Sequence, residues 1–208
     1  MWYSIVVVVL MAYLLGNING SVCISTLTHH EDVRTHGSGN AGLTNFFRSY
    51  GGGATLLVMA ADCGKTVVAC LAGELILAPF GQEKLGMVIA AVAVSLGHDF
   101  TALLGFRGGK GILCGISALF VIDWHIALAV LAVFLLAYGL TKYVSLGSIL
   151  GAVTYAVGFL VVYRQDLPVM LGGVFLGLLA IYMHRGNIRR LLRGEESKVY
   201  LFRKGGKK

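Results

Sequence analysis

Seven apolar runs, each about as long as a bilayer is thick, dominate this 208-residue sequence. A helix needs about 17–25 apolar residues to cross the hydrocarbon core of a membrane. The run at 108–124 is the weakest of the seven, because it is short and only a charged and aromatic turn at 123–125 separates it from the next. The predicted spans are residues 3–26, 53–80, 85–104, 108–124, 125–142, 144–163 and 167–183.

The composition also places most of this chain in lipid. Hydrophobic residues make up 57% of it and charged residues only 13%, whereas soluble domains contain about 45–50% apolar and about 25% charged residues. No basic residue precedes Arg34, so the first run lacks the positive start of a signal peptide and is predicted to remain as a helix. We therefore predict an all-α membrane protein with seven transmembrane helices.

The four cysteines form no C-x-x-C pair, and we expect no disulfide or metal role for them.

The distribution of lysine and arginine predicts how the chain crosses the membrane. Cytoplasmic loops retain these residues, and with the N-terminus outside and the C-terminus cytoplasmic only Lys84 and Arg164 fall in external turns. Lys65 lies within a span, and the other fourteen of the 17 basic residues lie on the cytoplasmic side. We therefore interpret the net charge of +7 as that of basic residues which set the orientation of the chain in the membrane and attract it to anionic lipid headgroups. Nucleic-acid binding is not expected, because the basic residues flank spans.

A first polar cluster, at residues 36–45, follows the first span. Its glycines free backbone N–H groups to point at one anion, and its serine, threonine and asparagine side chains add donors. It is not a P-loop, since no G-K-[ST] follows. A flexible glycine-rich connection between helices would have the same composition, so these residues alone leave a phosphate site and a plain loop open.

A second cluster combines Gly97, His98 and Asp99 with the stretch at 106–111, F-R-G-G-K-G. Lys110 stands among glycines at the start of a predicted span, where its charge and the helix N-terminus can both reach a phosphate. A histidine at the end of an apolar helix is often only a hydrogen-bonded packing residue. Both interpretations of His98 therefore stay open.

A third cluster, H-R-G-N-I-R-R-L at 184–191, lies where the last span meets the cytosol. Its i, i+3 spacing predicts that His184 and Asn187 share one helix face and point into the same site. Arg189, Arg190 and Arg193 are expected to face lipid headgroups as anchors of the topology.

Asp62 and Lys65 are ionisable residues within the second predicted span. Such residues are costly in a membrane and are usually paired or functional, and we favour a structural ion pair. With Glu74 they would form the site of a small-molecule or ion transporter, which is the alternative function. Transporters often show inverted repeats, whereas this sequence shows none and its polar clusters gather at one face.

In this order and on seven predicted spans, the clusters resemble the bacterial PlsY family of integral-membrane acyl-phosphate:glycerol-3-phosphate acyltransferases. The matching stretches are G-S-G-N-A-G-L-T-N, G-H followed by F-R-G-G-K-G, H-R-G-N-I-x-R-L and Y-V-S-L-G-S-I. The similarity extends from the first span to about Glu195. We expect one acyltransferase domain at 1–195 and a basic cytoplasmic tail at 196–208.

The resemblance implies that acyl phosphate donates a fatty-acyl group to the 1-position hydroxyl of glycerol 3-phosphate, which yields lysophosphatidic acid. It implies a multi-pass protein of the bacterial cytoplasmic (inner) membrane with its site facing the cytosol, surrounded by membrane lipids. No cofactor or metal is implied. The implied catalytic residues are Lys110, His184 and Asn187. The implied substrate-binding residues are Ser38, Gly39, Asn40, Gly42, Thr44, Asn45, Arg48, His98, Gly108, Gly109 and Ser148.

An acyl phosphate is an activated anhydride, so proximity and charge stabilisation suffice without a covalent nucleophile. The base that takes the hydroxyl proton stays open between His184 and a substrate phosphate. The sequence departs from the family at Asp99, which follows His98 unusually, and in the second span, where no glycine follows Lys65.

Overall fold

The computed structural model describes residues 1–200, and every regular element in this part of the chain is helical. This confirms the predicted all-α class. The α-helices of the described residues are α1 (Trp2–Gly16), α2 (Gly20–His29), α3 (Leu43–Tyr50), α4 (Ala54–Leu77), α5 (Glu83–Asp99), α6 (Ile112–Ile122), α7 (Trp124–Thr141), α8 (Val144–Val162), α9 (Leu167–Met183) and α10 (Arg185–Leu192).

Most of the predicted spans correspond to helices that are long and apolar enough to cross a membrane. Leu10, Leu56 and Leu136 are among many large apolar side chains exposed on the outside of the bundle, where lipid would cover them. A further candidate span joins α9 to α10 through a bend of 53°. The spans that are not bent are Trp2–His29, Ala54–Phe80, Glu83–Leu104, Trp124–Thr141 and Val144–Val162. The described chain is therefore an integral membrane fold in which five or six helices are long and apolar enough to cross a membrane.

The predicted span at 108–124 is wrong at its start, because α6 begins only at Ile112. Its 11 residues extend roughly 16 Å, about half the thickness of the hydrocarbon core. The preceding loop instead pairs with the end of α5: the backbone N–H groups of Gly108 and Gly109 donate to the carbonyls of Asp99 and His98, at 3.1 Å each. Irregular backbone is tolerated at membrane depth where protein satisfies its polar groups in this way.

The first predicted span is broken between α1 and α2 by a short polar segment. Asn19 caps α2 by accepting from the backbone N–H of Val22, at 3.0 Å, and its side-chain amide donates to the carbonyl of Ala41, also at 3.0 Å. The carbonyl of the Asn17 side chain accepts from the N–H of Leu103, at 3.3 Å. The two asparagines therefore tie the first span to both of the loops that carry the first and second polar clusters.

Helix α5 lies at the centre of the bundle and packs against α1, α4, α6 and α9. Gly97 lies against Gly16 of α1, and Gly86 lies against Gly73 of α4, so closely that a Cβ on any of them would meet the partner's backbone. Small residues permit this approach of membrane helices. The close packing holds the last turn of α5, which carries His98, against α1.

The polar segments converge at one end of the bundle. Arg34, in the first loop, donates to the carbonyl of Leu104 in the second, at 3.1 Å. Arg48 of α3 donates to the carbonyl of Ser197 in the segment after α10, at 2.9 Å. The predicted gathering of the three clusters on one side is confirmed.

The segment after α10 returns to the bundle. Val199 is buried, its N–H donates to the carbonyl of Lys142, and its carbonyl accepts from the hydroxyl of Tyr138, at 3.0 Å each. Residues 196–200, the start of the predicted tail, therefore contact the helical domain. Four basic residues of that tail, Arg203, Lys204, Lys207 and Lys208, lie outside the described residues.

Candidate active site

A polar cavity of about 190 Å³ opens where the three clusters meet. We call it the headgroup cavity. Residues of the first loop and α3, the loop before α6, the start of α8 and the junction of α9 with α10 all line it. The predicted site residues that line it are Ser38, Asn40, Gly42, Thr44, Asn45, Arg48, His98, Lys110, Ser148, His184 and Asn187. The predicted residues outside its lining are Gly39, Gly108 and Gly109.

Asn45 holds the first loop together from inside. Its amide nitrogen donates to the carbonyls of Val33 and His36, at 3.0 Å each. Its amide oxygen accepts from the backbone N–H and the hydroxyl of Ser38, at 2.9 and 3.2 Å. Gly39, with φ of 69°, makes the left-handed turn that this closure requires. The loop is therefore a shaped wall and not a flexible connection.

Gly108 and Gly109 let the second loop pass His98. A Cβ at Gly108 would meet the carbonyl oxygen of His98, and a Cβ at Gly109 would meet its imidazole ring. Although neither glycine lines the headgroup cavity, their close approach places the next residue, Lys110, in its wall. The Nζ atom of Lys110 donates to the side-chain oxygen of Asn187, at 2.6 Å.

Lys110 is one of three cations around the headgroup cavity, with Arg48 and Arg190. Burial, with repulsion from Arg190, lowers the pKa of the Lys110 ammonium to about 8. Burial also lowers the pKa of the Arg48 guanidinium from its ordinary value. Cations brought together at a cost of this kind are stabilised by an anionic ligand.

His184 and Asn187 line the same cavity, as their spacing predicts. His184 is only 4% exposed and lies at the junction of α9 and α10. Its Nδ1 atom donates to the carbonyl of Ala180, at 2.8 Å. Because a carbonyl oxygen only accepts, Nδ1 carries the proton and Nε2 is left as an acceptor.

Glu196 is a cavity residue that the sequence interpretation missed, because it falls in the predicted tail. Its Oε1 atom accepts from the side chains of Asn187 and Ser145, at 2.8 Å each, and Oε2 accepts from Nε of Arg190, at 2.7 Å. Burial raises the pKa of this carboxyl, but these three hydrogen bonds outweigh it and hold the pKa below its ordinary value. The sequence signal was an acidic pair, Glu195 and Glu196, within a basic stretch.

The expectation that Arg190 only anchors the helix at lipid headgroups is wrong. Arg190 lines the headgroup cavity and forms an ion pair with Glu196. The bend of 53° between α9 and α10 directs α10 across the end of the bundle, so one of its faces meets the cavity. Arg189 remains exposed.

A second cavity, of about 350 Å³, continues from the headgroup cavity between α6, α7, α8 and α9. We call it the apolar cavity, because Ile116, Val130, Leu131 and Leu176 are typical of its walls. The residues that line both cavities are Leu43, Lys110, Gly111, Ile112, Leu113, Phe134 and Ser148. A cationic chamber that opens into an apolar one suits an amphiphile with an anionic head.

Comparison with known proteins agrees with this geometry. Residues 6–194 match the protein family described as glycerol-3-phosphate acyltransferase. The glycerol-3-phosphate acyltransferase of Clostridioides difficile is 38% identical over 95% of this chain and 96% of its own length. That of Anaeromyxobacter sp. strain K is 40% identical over 90% of this chain and 93% of its own length.

Solved structures of PlsY, an integral membrane glycerol 3-phosphate acyltransferase, share this fold. The glycerol 3-phosphate form superimposes with a TM-score of 0.85 at 34% identity, over 95% of this chain and 96% of that one. The lysophosphatidic acid form gives a TM-score of 0.82 at 32% identity, with the same coverage. By family match, sequence identity and fold, this chain belongs to the glycerol-3-phosphate acyltransferase family.

Proposed function

We propose that this enzyme transfers a fatty-acyl group from acyl phosphate to the 1-position hydroxyl of glycerol 3-phosphate, forming lysophosphatidic acid and phosphate. The observation that carries the proposal is the junction of the two cavities. Lys110 and Ser148 line both of them, so a phosphate and the start of an acyl chain would meet beside these two side chains. The reaction is an early step of phospholipid synthesis.

The residues divide by the chemistry that each offers. Arg48 and Lys110 supply positive charge for phosphate oxygens, and Ser38, Asn40, Thr44 and Ser148 supply polar groups in the same wall. Asn45, Gly39, Gly108 and Gly109 shape the loops that carry these groups. Asn187, held between Lys110 and Glu196, orients the reacting groups together with His184.

The chemistry needs positioning more than activation. The hydroxyl oxygen attacks the acyl carbonyl carbon, the bond from that carbon to the bridging phosphate oxygen breaks, and phosphate leaves. The proton of the hydroxyl passes to a phosphate oxygen of the substrates. Cations fixed around the leaving phosphate stabilise the charge that develops on it, and no covalent acyl-enzyme is formed.

The donor and the acceptor are tested together by phosphate release from the purified protein. Release from acyl phosphate is expected only when glycerol 3-phosphate is present, with one lysophosphatidic acid formed for each phosphate. Acyl-coenzyme A and acyl-carrier protein serve as control donors and are expected to give no product. Product from either control, or release that does not depend on glycerol 3-phosphate, would contradict this choice of substrates.

The transporter alternative is not supported by the placement of its residues. Asp62 and Lys65 pair with each other, with 2.9 Å between Oδ1 and Nζ. Glu74 lies twelve residues farther along the same helix, roughly 18 Å from Asp62. The three side chains therefore do not form one binding site at the membrane midplane.

We also propose seven crossings of the bacterial cytoplasmic membrane, with the N-terminus outside and the active site facing the cytosol. This topology counts α6 as one crossing and leaves the loop before it, with Arg107 and Lys110, on the cytoplasmic side. It places fourteen of the 17 basic residues on the cytoplasmic side, as the positive-inside rule requires.

Reporters fused to the two ends test this topology. A C-terminal reporter is expected to be active in the cytosol and an N-terminal one outside, because the strong bias of basic residues sets the orientation. The measurement is the activity of a compartment-specific reporter at each end in intact cells. Both ends on the same side would require an even number of crossings and would remove α6 from the count.

A further inference from the structure

A buried ionic cluster lies beside the headgroup cavity, and the proposed reaction does not use all of it. Asp62 and Lys65 of α4 meet His98 of α5 there, and the side chains are 1%, 6% and 5% exposed. Nζ of Lys65 is 2.9 Å from Oδ1 of Asp62 and 3.0 Å from Nδ1 of His98. Asp62 and His98 themselves line the headgroup cavity.

The same cluster is anchored to the break between α1 and α2. Nζ of Lys65 lies 3.2 Å from the carbonyl oxygen of Gly16 and 2.6 Å from that of Ile18. The carboxylate of Asp62 accepts from the backbone N–H of Gly20, at 3.1 Å. These backbone groups are left without helical partners by the break, so Lys65 has acceptors on several sides that hold its ammonium in place.

The position of Lys65 decides which nitrogen of His98 carries a proton. An ammonium group has donors and no acceptor, so Nδ1 of His98 must accept from it with its lone pair. The proton of the neutral imidazole is then on Nε2. Asp62 does not reverse this, because its carboxylate is 3.7 Å from Nδ1, beyond hydrogen-bond range.

The Nε2 atom lies on the side of the ring that faces the second loop. Gly109 packs against this edge of the imidazole, and Nε2 has no hydrogen-bond partner among the described residues. Lys110, the next residue of the loop, lines the cavity into which His98 faces. A donor on Nε2 is therefore available to an oxygen atom bound beside Lys110.

We propose that Lys65, anchored by Asp62, is a positioning residue that fixes His98 in its Nε2-protonated form, so that Nε2–H donates a hydrogen bond to a phosphate oxygen in the headgroup cavity. The ligand half of this proposal rests on the proposed function. The phosphate belongs either to glycerol 3-phosphate or to the acyl donor. Fixing the tautomer in advance removes the cost of selecting it when the phosphate binds.

The tautomer is tested on the purified protein without substrates, by NMR of ¹⁵N-labelled histidine side chains. His98→Gln assigns the signal. In the wild type, Nε2 of His98 is expected to be protonated and Nδ1 not. In the Asp62→Asn, Lys65→Met double variant, which leaves no unpaired charge, the signal of the unprotonated Nδ1 is expected to shift, because this nitrogen loses the N–H of Lys65 that it accepts from. A wild-type His98 protonated on Nδ1, or a double variant with an unchanged Nδ1 signal, would overturn the proposal whatever the reaction proves to be.

Enzyme kinetics test whether Nε2–H of His98 donates a hydrogen bond to substrate, and they identify which substrate phosphate accepts it. A glutamine amide nitrogen takes the place of imidazole Nε2, so His98→Gln is expected to stay within about tenfold of wild-type kcat/KM, whereas His98→Leu loses about ten- to a hundredfold. If only the KM for glycerol 3-phosphate rises, Nε2–H binds the phosphate of glycerol 3-phosphate. If only the KM for acyl phosphate rises, Nε2–H binds the phosphate of the acyl phosphate. Equal losses in the two variants, measured on protein with unchanged thermal midpoint, would reject Nε2–H as a ligand.

Discussion

Replacing Lys110 by alanine is expected to lower kcat/KM for glycerol 3-phosphate by about ten- to a hundredfold. A charge-assisted hydrogen bond to phosphate contributes about 1.5–3 kcal/mol, and Lys110 is the cation that lines both cavities. The variant should still insert into the membrane, because the side chain lines a cavity and its hydrogen-bond partner among the described residues is the side chain of Asn187. The measurement is initial rate at limiting glycerol 3-phosphate.

Arg189→Ala is the matched control, because Arg189 is an exposed cation on α10 that lines neither cavity. It should leave kcat/KM unchanged. If Lys110→Ala keeps the wild-type rate, the prediction is wrong and the G-G-K-G stretch only caps the start of α6.

The low pKa of Lys110 adds a pH dependence with a definite sign. The positive charge is complete well below about pH 8 and is lost as pH rises through that value, so wild-type kcat/KM should fall on the alkaline side. An arginine stays charged throughout this range. The kcat/KM of Lys110→Arg should therefore not fall on the alkaline side, although the different geometry of arginine can make this variant slower than wild type at every pH.

The convergence of the three clusters was predictable because it follows from topology. Each cluster lies at the end of an apolar run, and the positive-inside rule places all three ends on the same side. Helices that are adjacent and antiparallel then bring His98, Lys110 and His184 together without any knowledge of packing angles. The ion pair of Asp62 with Lys65 was predictable for a similar reason, since i, i+3 residues on a helix are neighbours.

The start of α6 was not predictable from hydropathy. Gly108 and Gly109 read as the beginning of an apolar run, but their N–H groups bond to the end of α5. This contact depends on two helices packing side by side, and a count of apolar residues along one segment carries no information about it.

Glu196 and Arg190 were missed for a related reason. Glu196 belongs to the stretch predicted as a cytoplasmic tail, and only the return of residues 196–200 to the bundle places it at the cavity. Arg190 reaches the cavity because α10 bends away from α9 by 53°, and the sequence pattern does not reveal this bend. Their role also explains the charge of the site. The carboxylate of Glu196 accepts from Asn187, Ser145 and Arg190 and offsets part of the charge of the three cations. Asp62, the other carboxylate of the lining, is paired with Lys65, so an excess of positive charge is left for phosphate.

The identity of the base is decided by His184→Gln. We expect this variant to be slower by about tenfold or more, because a positioned hydrogen-bonding group is lost, and to keep the acid limb of its pH profile. A substrate phosphate, with a second ionisation near about pH 6, would produce that limb in both proteins. The measurement is kcat as a function of pH for variant and wild type, with substrates saturating.

The geometry favours the phosphate over His184 as the base. Among the described residues, Nε2 of His184 has no hydrogen-bond partner and can accept a proton. The partner of Nδ1 is the carbonyl of Ala180, so no carboxylate in this part of the chain is hydrogen-bonded to the ring to stabilise an imidazolium. The nearby carboxylate of Glu196 accepts a hydrogen bond from the side chain of Asn187 and not from His184. A His184→Gln profile that is flat, with a loss of about two or more orders of magnitude, would make the histidine the base.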